Sequence, residues 1–186
     1  MKKMSHRVAS VLKSLRKDRG WSLEKTAEAT GVSKAMLGQI EREESSPTIA
    51  TLWKIANGFH TSFSSFLEET PSDLKKPIYR FKQVQHLSPA DKKIRIAPLF
   101  PFDPQLNCEI FSIELLPHYE HISLPHQTGV IEHVIVVKGT LEILLKGIWK
   151  TLHKNEGLRF NADQHHKYRN SSSARIYFYN IIHYPE

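Results

Sequence analysis

The spacing of apolar residues changes once along this chain of 186 residues, near residue 70. Before that point, segments such as VASVLKSL place apolar residues every three to four positions, which is the spacing of an amphipathic helix. After about residue 78, segments such as EHVIVVKG and ARIYFYNIIHY alternate and are rich in β-branched and aromatic residues, which is typical of strands. The sequence therefore predicts an α+β protein with a helical part followed by an all-β part.

This change divides the chain into three stretches. Residues 1–69 are predicted to form an all-α domain of five helices. Residues 96–186 are predicted to form an all-β barrel or sandwich of roughly eight short strands. Residues 70–95 are predicted to be the linker and the start of the barrel, because the segment EETPSDLKKP has two prolines and alternating charges.

Positive charge is concentrated at the N-terminal end. The chain has a net charge of +7, and residues 1–42 contain ten Lys and Arg against four Asp and Glu. Because neutralisation of phosphates dominates nucleic-acid affinity, this distribution favours a polyanionic partner. The alternative is a solvated basic face with no partner.

Cysteine content and hydropathy indicate the compartment. The single cysteine, Cys108, cannot form an intramolecular disulfide, which suits a reducing environment. No apolar run approaches the ~18–20 residues that span a bilayer, and the charged N-terminus lacks the apolar core of a signal peptide. We expect a cytoplasmic protein without a membrane partner.

Residues 22–48 contain the start and stop signals of short helices. Ser22, Ser33 and Thr48 are side chains that cap helix N-termini, and Gly31 suits the left-handed backbone that ends a helix. Two helices joined by such a turn form a helix-turn-helix. The sequence therefore predicts a DNA-binding module.

The helix that follows Gly31 is predicted to read DNA. Its outer face is expected to carry Ser33, Lys34, Ala35, Gly38 and Gln39. Lys can reach guanine, Gln can bridge the N6 and N7 groups of adenine, and the Ala methyl can contact thymine. A double-stranded DNA operator is the predicted partner.

The run RKDRGWSLEKTAEATGVSKAMLGQIEREESSPTIATLWKIANGF resembles the lambda-repressor-like helix-turn-helix of the xenobiotic-response-element type, and the resemblance covers residues 7–67. It implies base contacts from Lys34, Ala35 and Gln39. It also implies positions near phosphates for Ser22, Ser33, Arg42 and Thr48. The ion pair of the family falls on Arg16 and Glu41, which we interpret as structural. The alternative for this half is a helical protein-interaction domain.

Histidines are concentrated in the second half, where nine of the eleven follow residue 85 and where His118, His121, His126 and His133 lie close together. The segments HQTGVIEHVIVVKG and GLRFNADQHHKYRN resemble the two motifs of the cupin superfamily. The resemblance implies a double-stranded β-helix barrel with a metal site formed by His126, Glu132 and His166. The His-x-His pair of that family is not intact here, since Pro125 and Gln127 flank His126.

Two kinds of ligand are compatible with His126, Glu132 and His166. One is a divalent metal ion, with zinc the first choice. The other is a zwitterionic molecule, with Glu132 accepting from an ammonium group and His126 or His166 donating to a carboxylate. Five aromatic residues are candidates either for the walls of this pocket or for ordinary core: Phe102, Phe111, Tyr168, Tyr177 and Tyr179.

The whole chain resembles bacterial regulators that join a lambda-repressor-like head to a cupin sensor. This resemblance implies a regulator of sulfur-acquisition genes with an amino-acid-like or sulfur-containing effector. We expect a homodimer on a near-palindromic operator. The alternatives are a metal-dependent cupin enzyme, a dioxygenase or isomerase, with a DNA-binding domain, and a barrel that serves only for dimerisation. The incomplete ligand set argues against the enzyme.

Overall fold

The computed structural model describes residues 2–67 and 91–185, and they divide into two compact units. The first unit is helical and also takes in Asp91. The second begins at Lys92 and contains all the strands of the described chain. Most of the predicted linker lies outside the described residues, so the predicted domain boundaries stay a prediction.

The helical unit contains four α-helices and one short 3-10 helix within residues 2–67: α1 (Lys2–Asp18), α2 (Leu23–Thr30), α3 (Lys34–Glu41), α4 (Ile49–Gly58) and the 3-10 helix Ser64–Phe66. Ser22, Ser33 and Thr48 cap α2, α3 and α4, each accepting from the backbone N–H three residues further on. The caps that the sequence predicts are therefore confirmed.

The predicted short fifth helix around Phe63, Phe66 and Leu67 is present as a single 3-10 turn and not as an α-helix. The Ser65 hydroxyl donates to the Ser62 carbonyl at 2.6 Å, and side-chain bonds of this kind compete with helical ones. The three apolar side chains are nevertheless buried. The segment closes the core without extending the helix.

The core of the helical unit is formed by the helices packing on α3 and α4 and by the closing 3-10 helix. α1 packs on α3 and on the 3-10 helix, and α2 packs on α3 and α4. The fully buried side chains include Leu12, Leu37, Ile40, Ile49, Leu52, Ile55, Phe59, Phe63 and Phe66. Burial of these apolar surfaces is the main stabilising term.

The β unit has nine strands within residues 92–185: β1 (Ile94–Asp103), β2 (Cys108–Leu115), β3 (Tyr119–Ser123), β4 (Ile131–Lys138), β5 (Leu141–Leu145), β6 (Ile148–Leu152), β7 (Gly157–Asn161), β8 (His166–Asn170) and β9 (Ile176–His183). They form two antiparallel sheets, with strand orders β1-β2-β9-β4-β7 and β3-β8-β5-β6. The predicted all-β architecture is confirmed, with one strand more than expected.

The two sheets pack face to face around a buried interior. Tyr168 of β8 stacks on Phe178 of β9, with ring centroids 5.5 Å apart. Along β4, the period of two places Glu132, Val134 and Val136 on the inner face, at 1%, 0% and 1% exposure. A buried carboxylate thus lies among apolar side chains, and its partners define a candidate site within the β unit, separate from the exposed face of α3.

Candidate functional site

The turn between α2 and α3 depends on a glycine. Gly31 has a φ of 64°, in the left-handed region, and its N–H donates to the Ala27 carbonyl at 2.9 Å. A side chain at this φ would be strained. Val32, the next residue, is buried and anchors the turn in the core. The turn sets the direction in which α3 leaves α2.

α3 presents one face to solvent. Ser33, Lys34, Ala35 and Gln39 are exposed, while Leu37 and Ile40 on the opposite face are buried. All four exposed residues are among those that the sequence assigns to DNA contact.

The prediction that Gly38 belongs to this outer face is wrong, since Gly38 is buried. The Arg42 guanidinium and the Leu23 side chain lie over it, so a Cβ at Gly38 would come within 3.1 Å of Arg42 Nη1 and 3.8 Å of Leu23 Cδ1. The missing side chain makes room for Arg42 beside the exposed face.

Residues assigned to phosphates surround α3. Ser22 is exposed at the start of α2, and Thr48 is half-buried at the start of α4. Arg42 is exposed and donates from Nε and Nη2 to the Glu44 carboxylate, at 2.8 Å each. The hydrogen bonds of this pair raise the pKa of Arg42 and lower the pKa of Glu44.

A second acidic residue lies near the exposed face of α3. The Lys34 ammonium is 3.4 Å from the Glu24 carboxylate, and both side chains are well exposed. Lys34 and Arg42 are therefore each paired with an acidic neighbour in the protein without DNA. Phosphates would compete with these carboxylates for the two cations.

Arg16 and Glu41 form a bidentate ion pair between α1 and the end of α3. Arg16 Nε and Nη2 donate to the two Glu41 oxygens at 2.6 and 2.8 Å, and Arg16 Nη1 donates to the Trp21 carbonyl at 3.0 Å. Their side chains are only 17% and 9% exposed. The hydrogen bonds to Glu41 raise the pKa of Arg16. The pair thus orients α3, which agrees with the structural interpretation.

The buried site in the β unit brings together three residues from different parts of the chain. His126 comes from the loop before β4, Glu132 from β4, and His166 from the start of β8. Glu132 Oε1 lies 2.8 Å from His126 Nε2 and 3.5 Å from His166 Nε2. One nitrogen or oxygen atom of each residue lies within 4.8 Å of the others. These are the three residues that the cupin resemblance names.

The second oxygen of Glu132 has its own donors. The Tyr168 hydroxyl and Asn180 Nδ2 both donate to Oε2, the latter at 2.8 Å. Burial opposes ionisation, but His166 and the hydrogen bond from His126 hold the pKa of Glu132 well below its usual value. Burial and the nearby Glu132 charge raise the pKa of Tyr168. The site therefore contains an ionised carboxylate and a neutral phenol.

The tautomer of His166 follows from its backbone contact. Its Nδ1 lies 2.9 Å from the Gln164 carbonyl oxygen, which only accepts, so Nδ1 carries a proton. Its Nε2 is buried and makes no hydrogen bond of good geometry within the described chain. Burial opposes protonation of the ring, while the charge of Glu132 raises the pKa of His166. Nε2 therefore either carries a proton toward Glu132 or directs a lone pair into the site.

His121 and Asn180 also belong to this environment. His121 lies in the histidine-rich stretch of the sequence but is not a predicted ligand, and no sequence motif includes Asn180. His121 is half-buried on β3, opposite Tyr168 in register. Burial of the ring, followed by the neighbouring His166, lowers the pKa of His121 to about 4. Asn180 occupies an inner position of the alternating strand β9. A polar residue at an inward position was the available signal for both.

The aromatic candidates separate into two groups. Phe111 and Tyr168 are buried on inner faces, and Phe111 lies opposite Asn180 in register. The predictions for Tyr177 and Tyr179 are wrong, because the alternation of β9 places them on the outer face, where the Tyr177 hydroxyl donates to Glu114 at 3.0 Å.

Phe102 is half-buried near the end of β1. It packs edge-on against Tyr184, with ring centroids 5.5 Å apart. This contact gives Phe102 a packing role.

The buried trio has the donor atoms and the approximate spacing of a metal site. Nitrogen and oxygen ligands lie about 2.0–2.2 Å from an ion such as zinc, so neighbouring ligand atoms are about 3–3.5 Å apart. The distance from Glu132 Oε1 to His166 Nε2, 3.5 Å, falls in this range, and the distance to His126 Nε2, 2.8 Å, is slightly shorter. The three ligand atoms all lie within 4.8 Å of one another. The tautomer of His166 also leaves Nε2 as the atom that could coordinate. The residues fit a divalent ion with three protein ligands and open positions.

An exposed helix-turn-helix followed by a β-barrel with a cupin-type trio defines a class of protein. The helix-turn-helix family HTH_3 matches residues 12–66. The chain belongs to the XRE-type helix-turn-helix transcriptional regulators that carry a C-terminal cupin domain.

Two relatives within this class match the chain over nearly its full length. The chain is 48% identical over 185 residues to the HTH-type transcriptional regulator SutR of Escherichia coli (strain K12), covering 100% of this chain and 99% of that one. A crystal structure of an HTH_3 family transcriptional regulator from Vibrio cholerae is 44% identical, with a TM-score of 0.84, covering 99% of this chain and 98% of that one.

A further crystal structure matches the β unit. It is the Cupin_2 domain of an XRE family transcriptional regulator from Enterobacter cloacae, which is 46% identical with a TM-score of 0.50 and covers 51% of this chain and 100% of that one. The full-length relatives are named as regulators, so the comparisons favour a regulator over the alternative of a cupin enzyme. Among residues 2–67 and 91–185, no helix has the length and apolar character needed to cross a bilayer.

Proposed function

We propose that this transcriptional regulator reads a DNA operator through the exposed face of α3. In this proposal Lys34, Ala35 and Gln39 contact base edges in the major groove, and the phosphate contacts come from Ser22, Ser33, Arg42 and Thr48. The observation that carries the proposal is the common exposure of Ser33, Lys34, Ala35 and Gln39 on one face of a capped helix. The concentration of positive charge in residues 1–42 supports it.

We propose further that the protein acts in the bacterial cytoplasm as a homodimer. One helix-turn-helix reads one half-site, so two copies would place their α3 helices about one helical turn of DNA apart. The operator would then be near-palindromic. The sequence resemblance that implies sulfur-acquisition genes supports these genes as the first regulatory targets to examine.

The buried site of the β unit is the proposed sensor. His126, Glu132 and His166 would hold a divalent metal ion, and zinc is the first candidate. When bound, such an ion would supply Lewis-acid positions to which a small effector can coordinate. Tyr168 and Phe111 would line the effector's side of the site. An effector changes DNA binding only if it favours one arrangement of the protein over another.

The DNA proposal is tested by binding of the full chain to operator fragments at several salt concentrations. Lys34→Ala with Gln39→Ala should abolish the preference for operator over random DNA, because base contacts carry specificity. Arg42→Ala should weaken binding to both operator and random DNA. The slope of log affinity against log salt concentration should fall by about one. Lys146→Ala, which removes an exposed cation from a turn of the β unit, is the control. Unchanged specificity in the double variant would reject the assignment.

The metal proposal is tested by titrating the chelator-treated full chain with Zn²⁺ or Co²⁺. One equivalent per chain should bind, with proton release, because the imidazole nitrogens must be deprotonated to coordinate. His126→Ala and His166→Ala should each lose most of this affinity. His133→Ala is the matched control, since His133 neighbours Glu132 on β4 but faces away from the interior. Equal binding by all variants would place the ion elsewhere.

A further inference from the structure

Asn180 has a buried acceptor that the described chain does not satisfy. The residue is 5% exposed, at an inner position of β9. Its Nδ2 donates to Glu132 Oε2 at 2.8 Å, while its Oδ1 is buried and has no hydrogen-bond partner within the described residues. Buried carbonyl oxygens are usually paired, so this atom indicates a missing donor.

The orientation of the Asn180 amide follows from Glu132. An ionised carboxylate only accepts hydrogen bonds, so the amide nitrogen must face it and the amide oxygen must face away. The reversed amide would place two oxygen atoms against each other in a buried environment. The unsatisfied atom is therefore the acceptor Oδ1.

The groups beside Asn180 do not provide the missing donor. Its register neighbours are Phe111 on β2 and Val134 on β4, which have no polar hydrogen on their side chains. The single hydroxyl proton of Tyr168 is already donated to Glu132. The donor for Oδ1 is therefore either an ordered water molecule or a ligand that displaces it.

We propose that Asn180 Oδ1 is the specificity-determining acceptor for an amine group of the effector. This inference rests on the proposed ligand site and specifies its chemistry. The bound molecule has an N–H donor next to a group that can coordinate a metal, as in a 2-amino acid. Glu132 Oε2 already accepts from Tyr168 and Asn180, and Oε1 would be a ligand of the metal ion, so the amine is assigned to Asn180 and not to the carboxylate.

The proposal predicts a ranking among ligands of the same shape. A 2-amino acid supplies an N–H donor and, as an ammonium, a positive charge that strengthens the hydrogen bond. A 2-hydroxy acid supplies a donor without that charge, and a 2-oxo acid supplies an acceptor that would face Oδ1. A site built around a hydrogen bond rejects analogues that lack the partner. The expected order of affinity is amino, then hydroxy, then oxo.

The test measures binding to the zinc-loaded full chain by calorimetry and thermal shift. The probes are the 2-amino, 2-hydroxy and 2-oxo forms of acids with methyl, ethyl, propyl, isobutyl and methylthioethyl side chains, with both enantiomers where they exist. The best amino acid should bind the wild type about tenfold or more tightly than its oxo counterpart. In Asn180→Leu this ratio should fall close to one.

Tyr168→Phe is the matched control. Like Asn180→Leu, it removes one of the two donors to Glu132 Oε2, but it leaves the Asn180 acceptor in place. The overall affinity should fall in both variants, whereas the preference for amino over oxo acids should survive only in Tyr168→Phe. The ranking by the wild type is itself a test if Asn180→Leu does not fold.

Three results would overturn the proposal. These are equal or tighter binding of the oxo acids by the wild type, a preference for amino acids that persists in Asn180→Leu, and no binding of any probe by a chain that has taken up one equivalent of zinc. The last result leaves the metal site intact. If neither zinc nor any probe binds, the proposed ligand site itself fails.

Discussion

The carboxylate of Asp91 accepts a hydrogen bond from the backbone N–H of Ile49, 42 residues earlier in the chain, at 3.0 Å. Ile49 is the first residue of α4, and N–H groups in the first turn of a helix have no partner within it. Thr48 caps the N–H of Thr51, and Asp91 caps that of Ile49. Asp91 is 7% exposed, so both ends of the bond are shielded from water.

This bond predicts that Asp91 stabilises the start of α4. Asp91→Ala should lower the stability of the helical unit by about 1–2 kcal/mol, because a buried N–H loses its acceptor. Hydrogen exchange at the Ile49 amide should become faster, while the Leu37 amide in α3 serves as an internal reference. Asp91→Asn keeps an acceptor and should lose less. Unchanged exchange at Ile49 in Asp91→Ala would contradict this role.

Two helical glycines should respond in opposite ways to substitution by alanine. At Gly58 a Cβ would lie 2.5 Å from the Ala29 carbonyl oxygen and 2.7 Å from Thr30 Cα, both backbone atoms of α2. Gly58→Ala should therefore destabilise the unit by about 1–3 kcal/mol, more than the gain in helix propensity.

Gly38→Ala is the matched comparison, since its nearest contact is the flexible end of Arg42. It should be neutral or stabilise by up to about 1 kcal/mol through helix propensity, yet weaken DNA binding by moving Arg42. Thermal unfolding and operator titrations measure the two effects. Similar losses of stability in both variants would contradict the distinction between a rigid and a flexible neighbour.

Glu44→Gln should strengthen DNA binding. The substitution removes the carboxylate that pairs with Arg42 in the free protein, so phosphate no longer competes with it. Both side chains are well exposed, which limits the gain to roughly two- to fivefold. Fluorescence anisotropy with labelled operator measures it, and Glu156→Gln, which removes an exposed carboxylate from the β unit, is the control. Weaker binding in Glu44→Gln would show that Glu44 positions Arg42 instead.

His121 should contribute a pH dependence to the metal-free protein. Burial and the neighbouring His166 lower the pKa of His121 to about 4, whereas Glu132 acts in the opposite direction. The unfolded chain protonates this ring near pH 6.5. The stability contributed by the neutral ring is therefore complete above about pH 6.5 and is lost as the pH falls toward 4.

The measurement is the Tm of the chelator-treated chain between pH 7.5 and 4. As the pH falls, His121→Phe should lose less stability than the wild type. The difference between the two should grow by at most about 1.4 kcal/mol per pH unit, because one proton is involved. His153→Gln, which changes an exposed histidine, should follow the wild type. Parallel curves for the wild type and His121→Phe would show that His121 is protonated at the same pH in the folded and unfolded chains.

Much of the fold follows from local patterns. The caps at Ser22, Ser33 and Thr48 act on N–H groups three residues away, so the sequence locates them. The exposure of Lys34, Ala35 and Gln39 follows from helical periodicity. Gly38 departs from that periodicity because Arg42 folds back over the helix, and long side chains are not constrained by spacing alone.

The buried site follows from the sequence only in part. The family resemblance names His126, Glu132 and His166, and the alternation of β4 turns Glu132 inward. Tyr177 and Tyr179 are aromatic residues of the kind that line pockets, but their positions on β9 place them on the outer face. Composition identifies candidate aromatic residues, while the register decides which of them line the interior.

The sequence by itself determined the order of elements, the reading face of α3 and the inward position of Glu132, because each depends on residues within one helix or strand. The tertiary structure decided which distant residues form hydrogen bonds with each other. Asn180 reaches Glu132 across 48 residues because β9 pairs with β4, and Asp91 reaches Ile49 across 42 residues. Contacts of this kind depend on strand order and chain path, which a local pattern of side chains does not specify.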